Sequence, residues 1–478
     1  MPSSSHSHVA VVAFPFSSHA PKLLAVARAL ATAAPSVTLS FLSTADPLAR
    51  LPATDVPGNN LRFVEVPTGG GNDDDDGDQE TPEWRRIEMF VEAAEGGGLR
   101  RAMEAAGDAA GGVAVSCVVG DAFMSMAAEV GVPWVAVWTA GPCALLAHLV
   151  GDAIREDIGD DDLHGARGDE LLTSYPGLGS YRVRDLPFGG GGSDMQRVMI
   201  KLLGRMAQRL PRAAIAVAIN AFPGLFPPDV SAALADALPN CLPIGPDHLL
   251  PGAAATPAND DDPHGCLAWL AHRPAGSVAY LRHGRRVAAG RTPRACRGAR
   301  GQRRAIPLVT PGGLVAGWPE FLDRATKAGN DGHDSAAGLV VAWTPQAAVL
   351  RHPAVGAFVT HSGWGAVLEA MSGGVPMACR PFCGDQHMNA SAVARLWCFG
   401  MAFDDDNDGS CGGGKPSMTR GRVAEAVASL LAGEEEGARM MRSRARELQA
   451  MVVSAFEPYG GSTKNWHKFV EIVCARRV

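Results

Sequence analysis

A chain of 478 residues, 46% of them hydrophobic, is too long for one ordinary core and suits two domains of roughly 200 residues each. A formal net charge of −7 gives no reason to expect nucleic acid or an anionic membrane surface as partner. The ten cysteines include no Cys-x-x-Cys pair, and Cys379 and Cys383 lack a second pair or nearby His, so buried thiols are expected there rather than a metal site. Residues 9–16 follow no basic stretch and read as a first strand, not a secretory segment. No apolar run reaches the ~18 residues needed to span a bilayer. The expectation is a reduced, cytosolic, soluble protein.

In chain order, residues 8–14 (HVAVVAF) make a buried strand closed by Pro15. Leu23, Leu24, Val26, Ala27 and Leu30 then recur at helical spacing. Further strands are expected at 37–42, 61–66, 113–119 and 134–138, with helical patterns at 84–106, 121–130 and 142–158. Such alternation indicates a parallel sheet covered on both faces. No G-x-G-x-x-G follows the first strand, so an ordinary NAD site is unsupported. The acidic run 72–76 after Gly69 reads as a solvated loop, because similar runs recur at 260–262 and 404–408. Residues 213–221 read as the last strand of the first half, and the Pro/Gly/Ala-rich stretch 251–257 as a linker. The second half resumes at 266–272, with strands at 277–281 and 338–342, and helices at 388–396, 420–432 and 434–455 follow later.

Residues 343–386 (WTPQAAVLRHPAVGAFVTHSGWGAVLEAMSGGVPMACRPFCGDQ) carry most of the chemistry. A strand at 355–360 ends at His361, turns through Ser362 and Gly363, and passes into helical spacing from Trp364. Such a turn aims backbone N–H groups and the positive end of the helix dipole at one point, which suits a diphosphate. Trp343 offers a flat face for a base, Glu369 can accept two hydroxyls, and Asp385 with Gln386 can hold a second polyol. In the first half, His19 lies just past the first strand, where α/β sheets gather ligands, and could remove a hydroxyl proton. Alone, such a loop histidine is more often an exposed or capping residue than a base. Asp121, in CVVGDAF, reads as a helix N-cap, as the carboxylate that orients that imidazole, or as both.

The elements W-x-P-Q, V-L-x-H, V-G-x-F-V-T-H, G-W, E, G-V-P-M and D-Q resemble the signature box of plant secondary-product UDP-glycosyltransferases. The flanking sequence is most similar to anthocyanidin and flavonol 3-O-glucosyltransferases. The resemblance implies an α/β fold of GT-B type, two Rossmann-like domains whose parallel sheets face each other across a cleft. Residues 1–245, joined by a returning segment at about 460–478, would bind the acceptor; residues 246–459 would bind the UDP-sugar. It implies His19 as base and Asp121 as its partner. Thr139 would touch the donor sugar, Trp343 would stack on uracil, and Glu369 would hold the ribose. His361 would contact the diphosphate, and Asp385 with Gln386 would hold glucose. Thr344, Gln346, Gly363, Trp364, Gly365 and Ala366 complete the implied donor site; Trp364 also reads as core packing. Ser18, Trp84 and His148 are implied acceptor contacts, and Gly189–Gly192 would edge that pocket. UDP-glucose would be a co-substrate, with no metal or other cofactor, and the chain a monomer.

Two departures stand out. The family's H-C-G-W-N-S is here His361-Ser-Gly-Trp-Gly-Ala366, which removes an amide and a hydroxyl from the phosphate and sugar site. Each lost hydrogen bond to a charged group could weaken binding by about 1.5–3 kcal/mol. The strand at 277–281 should continue as S-F-G-[ST], then a helix and a strand. Instead residues 282–304 hold nine arginines and no acidic residue, and Arg291, Arg294, Arg297, Arg300 and Arg303 recur every third position. That spacing leaves a helix without an apolar face and puts arginine on both faces of a strand. The window 282–317 is expected to be unable to replace a buried helix and strand. It reads as an out-of-frame translation of a GC-rich gene; a genuine basic insertion for an anionic partner is the alternative. Made as written, the chain is expected to have a weakened second domain and little or no activity, leaving at most a nucleotide- or flavonoid-binding relative. An active transferase for another phenolic or hormone acceptor is a further alternative.

Overall fold

Apolar runs without alternation belong to strands buried on both faces, and β1 (His8–Val12) is one, every residue of it buried. The computed structural model describes residues 7–16, 19–51, 60–67, 81–159, 166–188, 193–253, 262–282, 306–309, 333–335, 338–341, 343–403, 420–432 and 435–475. They fall into two compact units, Met1–Thr256 with Ala455–Val478, and Pro257–Ser454.

In the first unit β1 pairs with β2 (Thr38–Ser43) on one side and β4 (Cys117–Asp121) on the other. With β3 (Leu61–Glu65), β5 (Trp134–Trp138), β6 (Ala214–Ile219) and β7 (Cys241–Pro243), the order is β3-β2-β1-β4-β5-β6-β7, parallel throughout. The chain reverses its direction of travel across the sheet between β1 and β4. Open α/β sheets leave a crevice for ligands outside the carboxyl ends of such a pair. Helix α1 (His19–Ala33) buries Leu23, Leu24 and Leu30 against this sheet, and helix Gly461–Cys474 adds Trp466, Phe469 and Val473 to the same core.

Several expected boundaries move. The strand expected at 113–119 begins at Cys117 and runs through Asp121, so the aspartate is its last residue, not a residue beyond it. The helix expected over 84–106 breaks into Glu83–Ala93 and Leu99–Ala109, because Gly97 takes φ 95° between them, a conformation that suits glycine. The 121–130 pattern is a 3-10 turn, Ala122–Glu129, and 142–158 is two helices, Pro142–Leu149 and Gly151–Ile158. Helices Asp194–Ala213 and Pro228–Ala237 were not expected.

In the second unit β8 (Val278–Arg282) is parallel to β12 (Val355–Thr360), followed by β13 (Met377–Cys379) and β14 (Gly400–Ala402). On the other side of β8 lie β9 (Ile306–Val309), β11 (Gly338–Val341) and β10 (His333–Ser335). There the expectation of a wholly parallel sheet fails: β9 is antiparallel to both β8 and β11, and β10 is antiparallel to β11. The window 282–317 also does contribute a strand, β9, contrary to expectation. A parallel return needs a crossover, usually a helix packed on the sheet, and residues 283–305 lack the apolar stripe for one. One face of this sheet packs Ala279, Leu281, Ala357 and Val359 against Val423, Val427 and Leu430 of helix Arg420–Ala432. On the other, Tyr280 stacks on Phe358 with ring centroids 5.1 Å apart. Cys379 is buried as expected, but Cys383 is exposed because its loop lies beyond β13.

Candidate active site

His19 opens α1 immediately after β1, and Asp121 closes β4, so the β1–β4 pairing brings together two residues 102 positions apart. His19 Nδ1 lies 2.7 Å from Asp121 Oδ2. The other carboxylate oxygen, Oδ1, accepts the backbone N–H of Phe123 at 2.9 Å. One aspartate thus caps the 3-10 turn and holds the imidazole, each with its own oxygen. Thr139, just past β5, places Oγ1 3.2 Å from His19 Nδ1, and Lys22 Nζ donates to the Thr139 carbonyl at 3.0 Å. With Asp121 ionised, Nδ1 carries the ring proton and Nε2 keeps its lone pair.

Sequence reasoning missed the aromatic setting of this imidazole. Phe14 and Phe123 lie 5.4 and 4.6 Å from the His19 ring, and Phe16 and Phe90 pack on Phe14. The set continues through Trp138 to His148 and Phe188. Phe14 and Phe16 flank Pro15 two residues apart, and Phe123 lies two past Asp121; that clustering was the available signal. The His148 pKa is pushed down to about 3, by burial first and by the Arg155 charge second, so its ring is neutral near pH 7. Trp84 lines a groove of ≈ 330 Å³ between helices Glu83–Ala93 and Asp194–Ala213, with Glu88, Arg197 and Lys201. The residues lining that groove do not include the aromatic set around His19. Ser18 and Gly189–Gly192 lie outside the described residues.

In the second unit Gly363 caps helix Trp364–Gly373, and a Cβ on Gly363 would come within 2.7 Å of His361 Nε2. Ser362 takes a left-handed φ of 59°, held because Asn389 Nδ2 donates to its carbonyl at 3.0 Å and its own hydroxyl reaches the Gln386 carbonyl. Gly365 is half-buried and Ala366 buried in the first turn of that helix. Trp343 is 48% exposed. Gln346 Nε2 donates to Glu369 Oε2, while Gln346 Oε1 accepts from Tyr280 and Arg282.

Three of the implied donor residues have other contacts in the structure. The Trp364 ring is 2% exposed and packs against Trp397, so only its backbone is available to a ligand. The Thr344 hydroxyl is buried 2.8 Å from that of Tyr280, which makes it a support for the neighbouring loop. Gln386 folds its amide back: Oε1 accepts the Phe382 N–H at 2.9 Å, so this side chain must turn to meet a sugar. Asp385 stands beside it, one oxygen 3.0 Å from Asn389 Nδ2. Among the described residues no group of three or more His, Cys, Asp or Glu is placed to hold a metal ion. Among them, too, no helix is long and apolar enough to cross a membrane.

One unit with an imidazole–carboxylate pair and one with a glycine-capped helix fit a sugar-nucleotide transferase of GT-B type. The chain belongs to the UDP-glucoronosyl and UDP-glucosyl transferase family, whose model matches residues 9–407. It is 53% identical over 488 residues to an anthocyanidin 3-O-glucosyltransferase of Zea mays, covering 98% of this chain and 97% of that protein. It is 54% identical over 485 residues to an anthocyanidin 3-O-glucosyltransferase of Hordeum vulgare, covering 98% of each. The crystal structure of a UDP-glucose:anthocyanidin 3-O-glucosyltransferase in complex with UDP superposes with a TM-score of 0.76 at 26% identity, covering 98% of this chain and 99% of that one.

Proposed function

We propose that this enzyme transfers glucose from UDP-glucose to the 3-hydroxyl of an anthocyanidin or flavonol, with inversion at the anomeric carbon. The observation that carries the proposal is the 2.7 Å contact of His19 with Asp121, set among phenylalanine rings that suit a flat aromatic acceptor. The names of the Zea mays and Hordeum vulgare relatives support the choice of acceptor and position.

His19 Nε2 takes the proton of the acceptor hydroxyl, and Asp121 stabilises the imidazolium that forms. The freed oxygen attacks C1 of glucose from the face opposite the diphosphate. The C1–oxygen bond to the diphosphate breaks, its electron pair leaves with UDP, and the α-linked sugar becomes a β-glucoside. Residues 1–245 with 460–478 bind the acceptor, and residues 246–459 bind the donor. Trp343 stacks on uracil, Glu369 takes the ribose hydroxyls, and Asp385 with Gln386 takes the glucose. His361 and the backbone N–H groups at the start of helix Trp364–Gly373 meet the diphosphate, and Thr139 touches the sugar. We also take the chain as cytosolic, on its cysteine spacing and its short apolar runs, and as a monomer, on its resemblance to the family.

The test is turnover of UDP-glucose by the purified full chain with an anthocyanidin, a flavonol and a simple phenol. A flavonoid 3-O-β-glucoside as main product is expected. Transfer to the simple phenol alone would assign another acceptor, and hydrolysis without transfer would overturn the proposal.

A further inference from the structure

His19 is not held by Asp121 alone. With Asp121 ionised, the Nδ1–H donates to Asp121 Oδ2 at 2.7 Å and also faces Thr139 Oγ1 at 3.2 Å. Two acceptors on one nitrogen fix the rotation of the ring, and with it the direction of Nε2. The two are not equally anchored. Asp121 is the last residue of β4, whereas Thr139 follows the last residue of β5 and opens the turn into helix Pro142–Leu149. Backbone in a turn is less constrained than backbone in a central strand, so the Thr139 hydroxyl is only as fixed as the turn that carries it.

Lys22 fixes that turn. It stands three residues past His19 in the first turn of α1, so both side chains leave the same face of the helix. The sheet order β1-β4-β5 puts the ends of β1 and β5 two strand spacings apart, about 10 Å. The four-carbon stem of a lysine crosses such a gap, and Nζ donates to the Thr139 carbonyl at 3.0 Å. Farther along the same turn, Trp138 Nε1 donates to the Gly141 carbonyl at 2.9 Å. Lys22 is half-buried and lines a small cavity with Thr139, Asn220 and Asp247. Burial would raise the Asp247 carboxyl, but His248 and then the Lys22 charge hold it below its ordinary value, so a carboxylate balances the ammonium. Asp247 is placed in turn by Asn220, whose Oδ1 accepts its backbone N–H at 2.8 Å. We propose that Lys22 is a positioning residue that sets the His19 imidazole through Thr139. Its bearing on the reaction rests on His19 as the base assigned under the proposed function.

The hydrogen-bonded Nδ1 proton of His19 is read as a downfield proton resonance of the full chain, assigned by its loss in His19→Gln. Lys22→Met and Thr139→Val are each expected to shift or broaden it, and Lys22→Arg to restore it. In turnover of UDP-glucose with a flavonol, Lys22→Met should lower kcat about 10- to 100-fold, as a small misplacement of a reacting group does, with UDP affinity within about twofold of wild type. Added to Thr139→Val, the same change should cost less than about twofold more, since it acts through that residue. Losses that multiply would show that Lys22 only holds the fold, and would overturn the proposal. An unmoved resonance in Lys22→Met would overturn it whatever the turnover. A wild type that shows the resonance without turning over is decided by the same shift. Wild-type turnover in His19→Gln, with the resonance still responding to Lys22→Met, would overturn the base assignment and leave the hold of Lys22 on the ring standing. A wild type without the resonance would remove the His19–Asp121 pair and this inference together.

Discussion

The two sheets of this enzyme are built on one plan and have kept it to different degrees. In the first, seven strands run parallel and the β1–β4 ends bring His19 against Asp121. In the second, the β12–β14 half keeps the parallel order, while β9 enters antiparallel after the arginine-rich residues. The difference is confined to one side of β8, whose pairing with β12 is parallel while that with β9 is antiparallel. β8 and β12 remain parallel, with Arg282 opposite Thr360 at their ends.

Perturbing each crevice sharpens that comparison. The largest effect is expected in the first unit. Asp121→Asn keeps an oxygen for the Phe123 N–H but loses the charge on His19, and kcat should fall about 100- to 10,000-fold with the UDP affinity unchanged. A drop below about threefold in steady-state kinetics would show that the pair is structural only. In the second unit, Trp343→Ala removes the exposed ring and should weaken UDP by about 1–3 kcal/mol, with kcat at saturating donor little changed. Smaller still, and opposite in sign, Gly365→Asn with Ala366→Ser should tighten UDP about tenfold, as restored polar contacts to a charged group would. No gain in titration would mean that the second crevice no longer presents those positions to phosphate.

The smallest effect concerns pH. His8 is fully buried between the Val113 carbonyl at 2.7 Å and Ser40 Oγ at 2.9 Å, and burial, then the Arg62 charge, holds its pKa below the ordinary 6.5. His148 is pushed down to about 3. Between pH 6.5 and 3 the unfolded chain binds protons at these rings that the folded chain does not, so their contribution is full above 6.5 and is lost as pH falls. The melting temperature should therefore drop between pH 7.5 and 5, and His148→Phe should flatten that slope. An unchanged slope in that variant would contradict the burial of a neutral ring.

Strands buried on both faces were the most legible elements. β5 and β12 fall at 134–138 and 355–360 as expected, because a continuous apolar run in an α/β chain has few other uses. Helix Asp194–Ala213 was not expected although Leu202, Met206 and Leu210 recur at four-residue spacing, because many polar and charged residues stand between them and a glycine run precedes it. The pairing of His19 with Asp121 was visible only as two strand-end residues; the switch in strand order that joins them is a property of topology, not of either motif. The phenylalanine set was legible only in part, as Phe14 and Phe16 beside Pro15 and Phe123 beside Asp121; its closure with Phe90 depends on a separate helix. Hydrogen bonds that bury Thr344 and fold back Gln386 depend on Tyr280 and on the 382–383 backbone, which a linear motif does not display.

The central claim is that an imidazole in the first unit removes the acceptor proton, and His19→Ala tests it most directly. Measured as flavonoid glucoside formed per minute from UDP-glucose at pH 7.5, the variant should lose about 100- to 10,000-fold while its affinity for UDP stays within twofold of wild type. A variant that glucosylates at the wild-type rate would contradict the account.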